Sequence, residues 1–208
     1  MEVDSARFSL EAKHFDFNGK QYDYYLSFGS SGLNERIVEV PIVWEYVSKM
    51  AGKKVLEVGR VMAALTWNDF DVVDLTEKAP GVINVDILDY HTDKRYDLII
   101  CISTLEHIGF GDYGDAIDHD PEKSLKAINH MISLLDSGGT LIATAPIGWN
   151  PFFDELIVQK KLPFTEIYFM KRKSRGKWYQ TDYLKAINTR YGWPQAYAQS
   201  IIVGIYKK

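Results

Sequence analysis

A chain of 208 residues, 46% hydrophobic and 25% charged, is long enough to bury a full core without disulfides or a structural metal. Its net charge of −4 excludes a general attraction to nucleic acid, and its single cysteine excludes a disulfide within the chain, which fits a reducing compartment. Met1 to Ser5 lacks the basic and apolar regions of a signal peptide, and no uncharged apolar stretch is long enough to span a bilayer, so a cytoplasmic location without a membrane span is expected.

The first punctuation is Asn18-Gly19, between the aromatic-rich runs His14-Phe15-Asp16-Phe17 and Tyr22-Asp23-Tyr24-Tyr25-Leu26. Asn-Gly adopts the positive φ angles of a tight turn, so a β-hairpin is predicted. After Ser30-Ser31-Gly32, residues 34–50 carry Ile37, Val38, Ile42, Val43, Tyr46 and Val47 at helical spacing. Pro41 is expected to kink that helix or mark its true start. Residues 1–50 are read as a hairpin and helix appended to a core domain, residues 51–208.

Past Gly52 the pattern changes to short apolar runs between polar turns. Val55-Leu56-Glu57-Val58, Asp71-Val72-Val73-Asp74-Leu75 and Gly81-Val82-Ile83-Asn84-Val85-Asp86 read as successive strands. Residues 96–102 form a fourth, apolar enough to be covered on both faces, which places Cys101 in the core. Residues 123–135 have helical periodicity in Leu125, Ile128, Ile132 and Leu135 and run into Ser137-Gly138-Gly139, a helix stop signal. Residues 140–145 form a fifth strand, ended by Pro146. Residues 164–170 and 200–206 are strand candidates that pair antiparallel at one edge. Lys171, Arg172, Lys173, Arg175 and Lys177 make either a solvated hairpin or an anion site. The fold class is α/β: a doubly wound, mainly parallel Rossmann-like sheet with an antiparallel edge strand.

Such sheets bind ligands outside the carboxyl ends of their strands. Glu57, Asp74 and Asp86 lie at three consecutive strand ends. Ionised carboxylates only accept hydrogen bonds, so three in register suit a ligand with hydroxyl and amino groups, or a cation. Each also suits the capping of a helix N-terminus.

Val55-Leu56-Glu57-Val58-Gly59, Val72-Val73-Asp74-Leu75, Val85-Asp86-Ile87, Tyr96-Asp97-Leu98-Ile99-Ile100 with Ser103-Thr104-Leu105-Glu106-His107, and Ser137-Gly138-Gly139-Thr140-Leu141 resemble, in order, the motifs of class I S-adenosylmethionine-dependent methyltransferases. The resemblance is nearest the small-molecule branch, some members of which serve sugar or polysaccharide biosynthesis. It implies S-adenosylmethionine as cofactor and a small-molecule acceptor, with no nucleic-acid partner. It implies that Glu57 and Gly59 border the methionine part, that Asp74 with Leu75 meets the ribose, and that Asp86 with Ile87 borders the adenine. Ser103 is implied to lie beside the cofactor under the substrate, with His107 near the acceptor.

One departure stands out. Val61 and Ala63 occupy positions where that family carries glycine, and glycine lets backbone approach a ligand closely. The Gly-x-Gly-x-x-Gly dinucleotide fingerprint fails at the same place, since positions 59, 61 and 64 are Gly59, Val61 and Ala64. Fifteen positions from Gly59 to Asp74 require a short first crossover. His107 is the candidate base for a hydroxyl acceptor, with Glu106 either orienting it or facing solvent, and a structural role for His107 stands beside that reading. Tyr24, Tyr25, Glu35 and Arg36, with the segment Gly148-Trp149-Asn150-Pro151-Phe152-Phe153, are candidates for a lid. The five histidines lack zinc spacing; Asp112, Asp115, Asp118, His119 and Asp120 form an acidic loop without EF-hand spacing. Three functions follow: a methyltransferase, a binding protein that kept the fold and lost the donor, or a nucleotide-sugar or NAD-binding enzyme.

Overall fold

The computed structural model of the protein describes residues 13–26, 34–66, 69–111, 119–173 and 176–208. Of the sequence readings, Ser30-Ser31-Gly32, Arg175, and Asp112, Asp115 and Asp118 of the acidic loop fall outside the described residues.

The Asn-Gly hairpin forms as its turn chemistry requires. Strands β1 (His14–Phe17) and β2 (Lys20–Asp23) pair antiparallel, with Asn18 at φ +49° and Gly19 at +75°. Helix α1 (Arg36–Val47) continues across Pro41 rather than starting at it. Proline removes the N–H that would bond the carbonyl four residues earlier. Here the Ile37 carbonyl accepts the Tyr25 N–H instead, at 3.0 Å. The proline thus frees an acceptor that anchors the end of the hairpin to the helix.

A second, eight-stranded sheet follows: β3 (Val55–Val58), β4 (Asp71–Val73), β5 (Val82–Ile83), β6 (Tyr96–Ile102), β7 (Leu135–Pro146), β8 (Glu166–Arg172), β9 (Trp178–Thr181) and β10 (Ser200–Lys207), in spatial order β5-β4-β3-β6-β7-β10-β8-β9. The first five of these are mutually parallel. Their order matches the 3-2-1-4-5 run of the doubly wound Rossmann sheet, with the reversal of direction between β3 and β6. Strand β10 then inserts antiparallel to both β7 and β8, and β9 lies antiparallel at the edge. The expected β8–β10 pair therefore exists, but the edge belongs to β9.

Burial explains the pairing. Along β6, Leu98, Ile100 and Ile102 join the core on the α1 face, while Ile99 and Cys101 join the opposite core. That second face is covered by α3 (Lys123–Leu134), α4 (Pro151–Val158) and α5 (Tyr183–Ile187). The buried stripe of α3 is Ser124, Ala127, Ile128, Met131 and Leu134, with Leu125 and Ile132 only partly covered. Each fully buried aliphatic side chain contributes about 1.5–3 kcal/mol.

Two sequence signals read differently in three dimensions. Ser137-Gly138-Gly139 does not stop α3; it lies inside β7, where pairing with β6 shifts register between Tyr96 and Leu98. A Cβ at Gly139 would stand 2.7 Å from the Tyr96 carbonyl oxygen, so the glycine permits a close backbone approach at an irregularity. The strand expected over residues 81–86 shrinks to Val82–Ile83, because Asp86 caps a 3-10 turn at Ile87–Asp89.

The hairpin covers the exposed sheet edge. The Trp178 N–H donates to Tyr24 Oη at 2.8 Å, and the Asn18 N–H to Gln180 Oε1 at 2.7 Å. Tyr24→Phe leaves a buried N–H without an acceptor, a loss of about 1–3 kcal/mol. Its melting temperature should fall by about 2–12 °C at this chain length; an unchanged thermal melt would show that the edge gains nothing from the hydroxyl.

Candidate functional site

The loop after β3 is organised from behind by Glu57. This carboxylate is fully buried. Its Oε1 accepts the N–H groups of Val61 at 2.9 Å and Met62 at 2.6 Å, and its Oε2 that of Ala63 at 2.7 Å. Burial pushes the Glu57 carboxyl up, and the three donors pull it back. They set the first turn of α2 (Met62–Leu65), which is the short crossover required by the spacing.

Val61 has φ −109°, an ordinary value for a β-branched residue, so glycine freedom is not needed there. It is needed at Gly59, where φ is +85° and a Cβ would overlap Thr104 Oγ1. Gly59 follows β3 and Thr104 follows β6, so this close approach sits at the point where the strand order reverses.

A cavity of about 300 Å³ opens there, at the lower end of the range for small-molecule sites, ~300–1,000 Å³. Asp86 and Ile87 line it beyond β5, Asp74 and Leu75 beyond β4, Gly59 beyond β3, and Ser103 and His107 beyond β6. Seven of the eight sequence candidates thus meet in one wall. Glu57 does not line the cavity; it supports the loop that does. Val61 lines the cavity and also packs in the α1-side core, so the space persists with its side chain in place.

Both rim aspartates hold their own loops. Asp74 Oδ1 accepts from the N–H groups of Thr76 at 2.8 Å and Glu77 at 2.7 Å. Asp86 Oδ1 accepts from the Leu88 N–H at 2.9 Å, and its Oδ2 pairs with Lys123 Nζ at 2.8 Å. An ionised carboxylate offers about four lone-pair positions, so each retains capacity toward a ligand. Ser103 has φ +39°, and its Oγ donates to the buried carboxylate of Glu39 at 2.8 and 3.0 Å. Glu39 in turn pairs with Arg36 Nη1 at 2.6 Å, and Arg36 lines the cavity. Glu39 and Lys123 carry no local sequence signal for this role, because packing of α1 and α3 brings them to the site.

Beyond β6, the His107 ring stands edge-on to Trp149 at 5.8 Å, and Trp149 to Tyr191 at 4.6 Å. His107 Nε2 is 3.6 Å from Glu106 Oε1. Burial pushes the Glu106 carboxyl well above the usual carboxylate range. Asn150 caps α4 by accepting from Phe152 and Phe153 N–H, while its Nδ2 donates to the Glu106 carbonyl at 2.9 Å. Of the lid candidates, Arg36 and Trp149 reach the site, Glu35 is buried behind it, Phe153 joins the core and Tyr24 serves the sheet edge. Lys171, Arg172, Lys173 and Lys177 lie on and between β8 and β9, and none lines the cavity. Among the described residues no group of three or more His, Cys, Asp or Glu is arranged to hold a metal, and no helix is long and apolar enough to cross a membrane.

No protein-family model and no curated protein sequence matches the chain. Solved structures similar to it include the N-methyltransferase NodS from Bradyrhizobium japonicum WM9 in complex with S-adenosyl-L-homocysteine, at 14% identity over 86% of this chain and 93% of that one, TM-score 0.49. A SAM-dependent methyltransferase from Archaeoglobus fulgidus matches at 15% identity over 80% and 91%, TM-score 0.49. The sugar N-methyltransferase KedS8 from Streptoalloteichus sp ATCC 53650 matches at 14% over 82% and 87%, TM-score 0.42. The fold assignment rests on this chain's own strand order and register.

The turn before α4 has a titrating support. Asp154 accepts the Gly148 N–H at 3.1 and 3.0 Å, and burial pushes its carboxyl up to about 6. An unfolded aspartate titrates near ~3.9, so the unfolded chain loses this proton first as pH rises. The contribution of Asp154 to stability is therefore complete below about pH 4 and lost through about pH 6. Asp154→Asn, which keeps an acceptor for Gly148, should gain on the parent chain in melting temperature as pH rises from about 4 to about 7; parallel curves would place the Asp154 carboxyl at its unfolded value.

Proposed function

We propose that this protein is an S-adenosylmethionine-dependent methyltransferase acting on a small molecule, with a sugar or saccharide precursor as the acceptor class. The observation that carries the reading is the use of Glu57. In a dinucleotide enzyme the N–H groups opening the first helix receive the pyrophosphate. Here the N–H groups of Val61, Met62 and Ala63 are already taken by a carboxylate of the chain itself. A phosphate at that place would meet a buried anion and no free donors. A ligand without phosphate and with a positive centre meets neither obstacle.

The residues suit the adenosyl cofactor along its length. Asp74 would accept from the ribose hydroxyls and Asp86 from the adenine amino group, with Ile87 and Leu75 offering apolar contact. The left-handed turn at Gly59 and the guanidinium of Arg36 would receive the amino-acid end. When bound, the cofactor supplies a methyl group on a positively charged sulfur, a good leaving group. The task left to the chain is alignment, which is worth as much as about 7–11 kcal/mol, together with removal of a proton from the acceptor. His107, in the wall and beside Glu106, would take that proton. The faces of Trp149 and Tyr191 suit the apolar side of a sugar ring.

S-adenosylhomocysteine should raise the melting temperature, by the equivalent of about 2.7 kcal/mol at one hundred times Kd. NAD should leave it unchanged, and Asp74→Ala should diminish the shift. His107→Ala should keep the shift while turnover, read as release of S-adenosylhomocysteine, falls by about 10²–10⁴. A shift with NAD alone would support the dinucleotide reading, and a shift with neither would leave a binding protein on the same fold.

A further inference from the structure

One cation in the cavity wall holds a position that its own helix does not explain. Lys123 lines the cavity with its side chain only 16% exposed, and its Nζ pairs with Asp86 Oδ2 at 2.8 Å. It is the first residue of α3, the end of a helix at which the backbone dipole disfavours positive charge. Just before the helix, Asp120 Oδ2 pairs with Lys126 Nζ at 2.7 Å, while Lys123 reaches into the cavity.

The surrounding chain fixes that reach. Ser124 Oγ donates to the Leu105 carbonyl at 3.0 Å and to the Ile108 carbonyl at 2.9 Å, which ties the start of α3 to the segment after β6. The Asp120 N–H donates to the Gly109 carbonyl at 3.2 Å. At Gly109, φ is +77°, and a Cβ would stand 2.8 Å from Lys123 Cβ and 2.5 Å from the Asp120 carbonyl oxygen. Glycine is what permits so close an approach. Asp86 is fixed in turn, because its Oδ1 accepts the Leu88 N–H at 2.9 Å.

The two side chains therefore place a group that only accepts hydrogen bonds beside a group that only donates them. Their natural complement is a ligand edge with a donor next to an acceptor. Adenine has such an edge, since its amino group is flanked by ring nitrogens with free lone pairs. Asp86 lies beyond β5, at the opposite end of the row of strand ends from His107 beyond β6, which is where the base of the donor is expected.

We propose that Lys123 is a specificity-determining residue for the methyl donor: it donates to an adenine ring nitrogen beside the amino group that Asp86 accepts. The proposal rests on the methyl-transfer reading above and adds a residue to the cofactor end of that site. Asp86 alone accepts from any amino group. Lys123 adds the requirement that an acceptor stand next to it.

The test is calorimetric titration with S-adenosylhomocysteine and with its 1-deaza and 7-deaza analogues, in which C–H replaces one of the two ring nitrogens beside the amino group. In the parent chain one analogue should bind about 10–100-fold more weakly than S-adenosylhomocysteine, the range for a hydrogen bond from a charged group. In Lys123→Met, which keeps an apolar stem and removes the donor, S-adenosylhomocysteine should weaken by a similar factor. The sensitive analogue should then bind no worse than S-adenosylhomocysteine does. Equal binding of all three by the parent chain overturns the role of Lys123 and leaves the donor reading intact, and that comparison needs no variant to fold. A deficit that persists undiminished in Lys123→Met assigns the ring nitrogen to another donor, reduces Lys123 to a counter-ion of Asp86, and overturns the proposal. Absence of S-adenosylhomocysteine binding in the parent chain overturns the donor reading and this proposal with it.

Discussion

The grip of Glu57 on three successive backbone N–H groups is the constraint from which the site follows. It fixes the turn that leaves β3, so that Gly59 takes its left-handed conformation against Thr104. It lets α2 be only four residues long, because a cap made by a buried carboxylate substitutes for the length a free helix needs to persist. It also spends the donors that a phosphate would require. One buried side chain thus shapes the loop and leaves it without free N–H donors for a phosphate.

From that turn outward, strand order supplies the rest. Neighbouring strand ends deliver Asp86, Asp74, Gly59 and the Ser103–His107 segment in sequence around one cavity. The two aspartates hold their own loops before any ligand arrives, which keeps the remaining acceptor positions oriented in advance. On the far side of the reversal the wall changes character. Ser103 and His107 are backed by the buried side chains of Glu39 and Glu106.

The elements most legible in the sequence are those whose local pattern and tertiary fate agree. Residues 96–102 read as a doubly covered strand because both faces of β6 are in core, and Asn18-Gly19 read as a hairpin because its φ angles are set locally. Residues 148–153 read as a lid because of their aromatic residues, whereas helix α4 begins within them, with Asn150 as its cap and Pro151 at its first position. Strand β9 is four residues long with three partly or fully exposed, too little pattern for period-two reading. The glycines at 138 and 139 show the same limit in reverse: a stop signal and a bulge use the same residue type, and only the nearness of the Tyr96 carbonyl separates them. In the site, the acids that end strands were visible. Glu39 and Lys123 were not, since each acquires its role from a partner far along the chain.

The central claim is that an adenosyl group lies across four strand ends with its phosphate-free tail at the Glu57-capped turn. A crystal structure of the protein with S-adenosylhomocysteine tests it most directly. The account predicts density running from Asp86, past Asp74, to Gly59, with Glu57 still bonded to the N–H groups of Val61, Met62 and Ala63. Density anywhere else on the molecule, or a Glu57 carboxylate swung away from that turn, would contradict it.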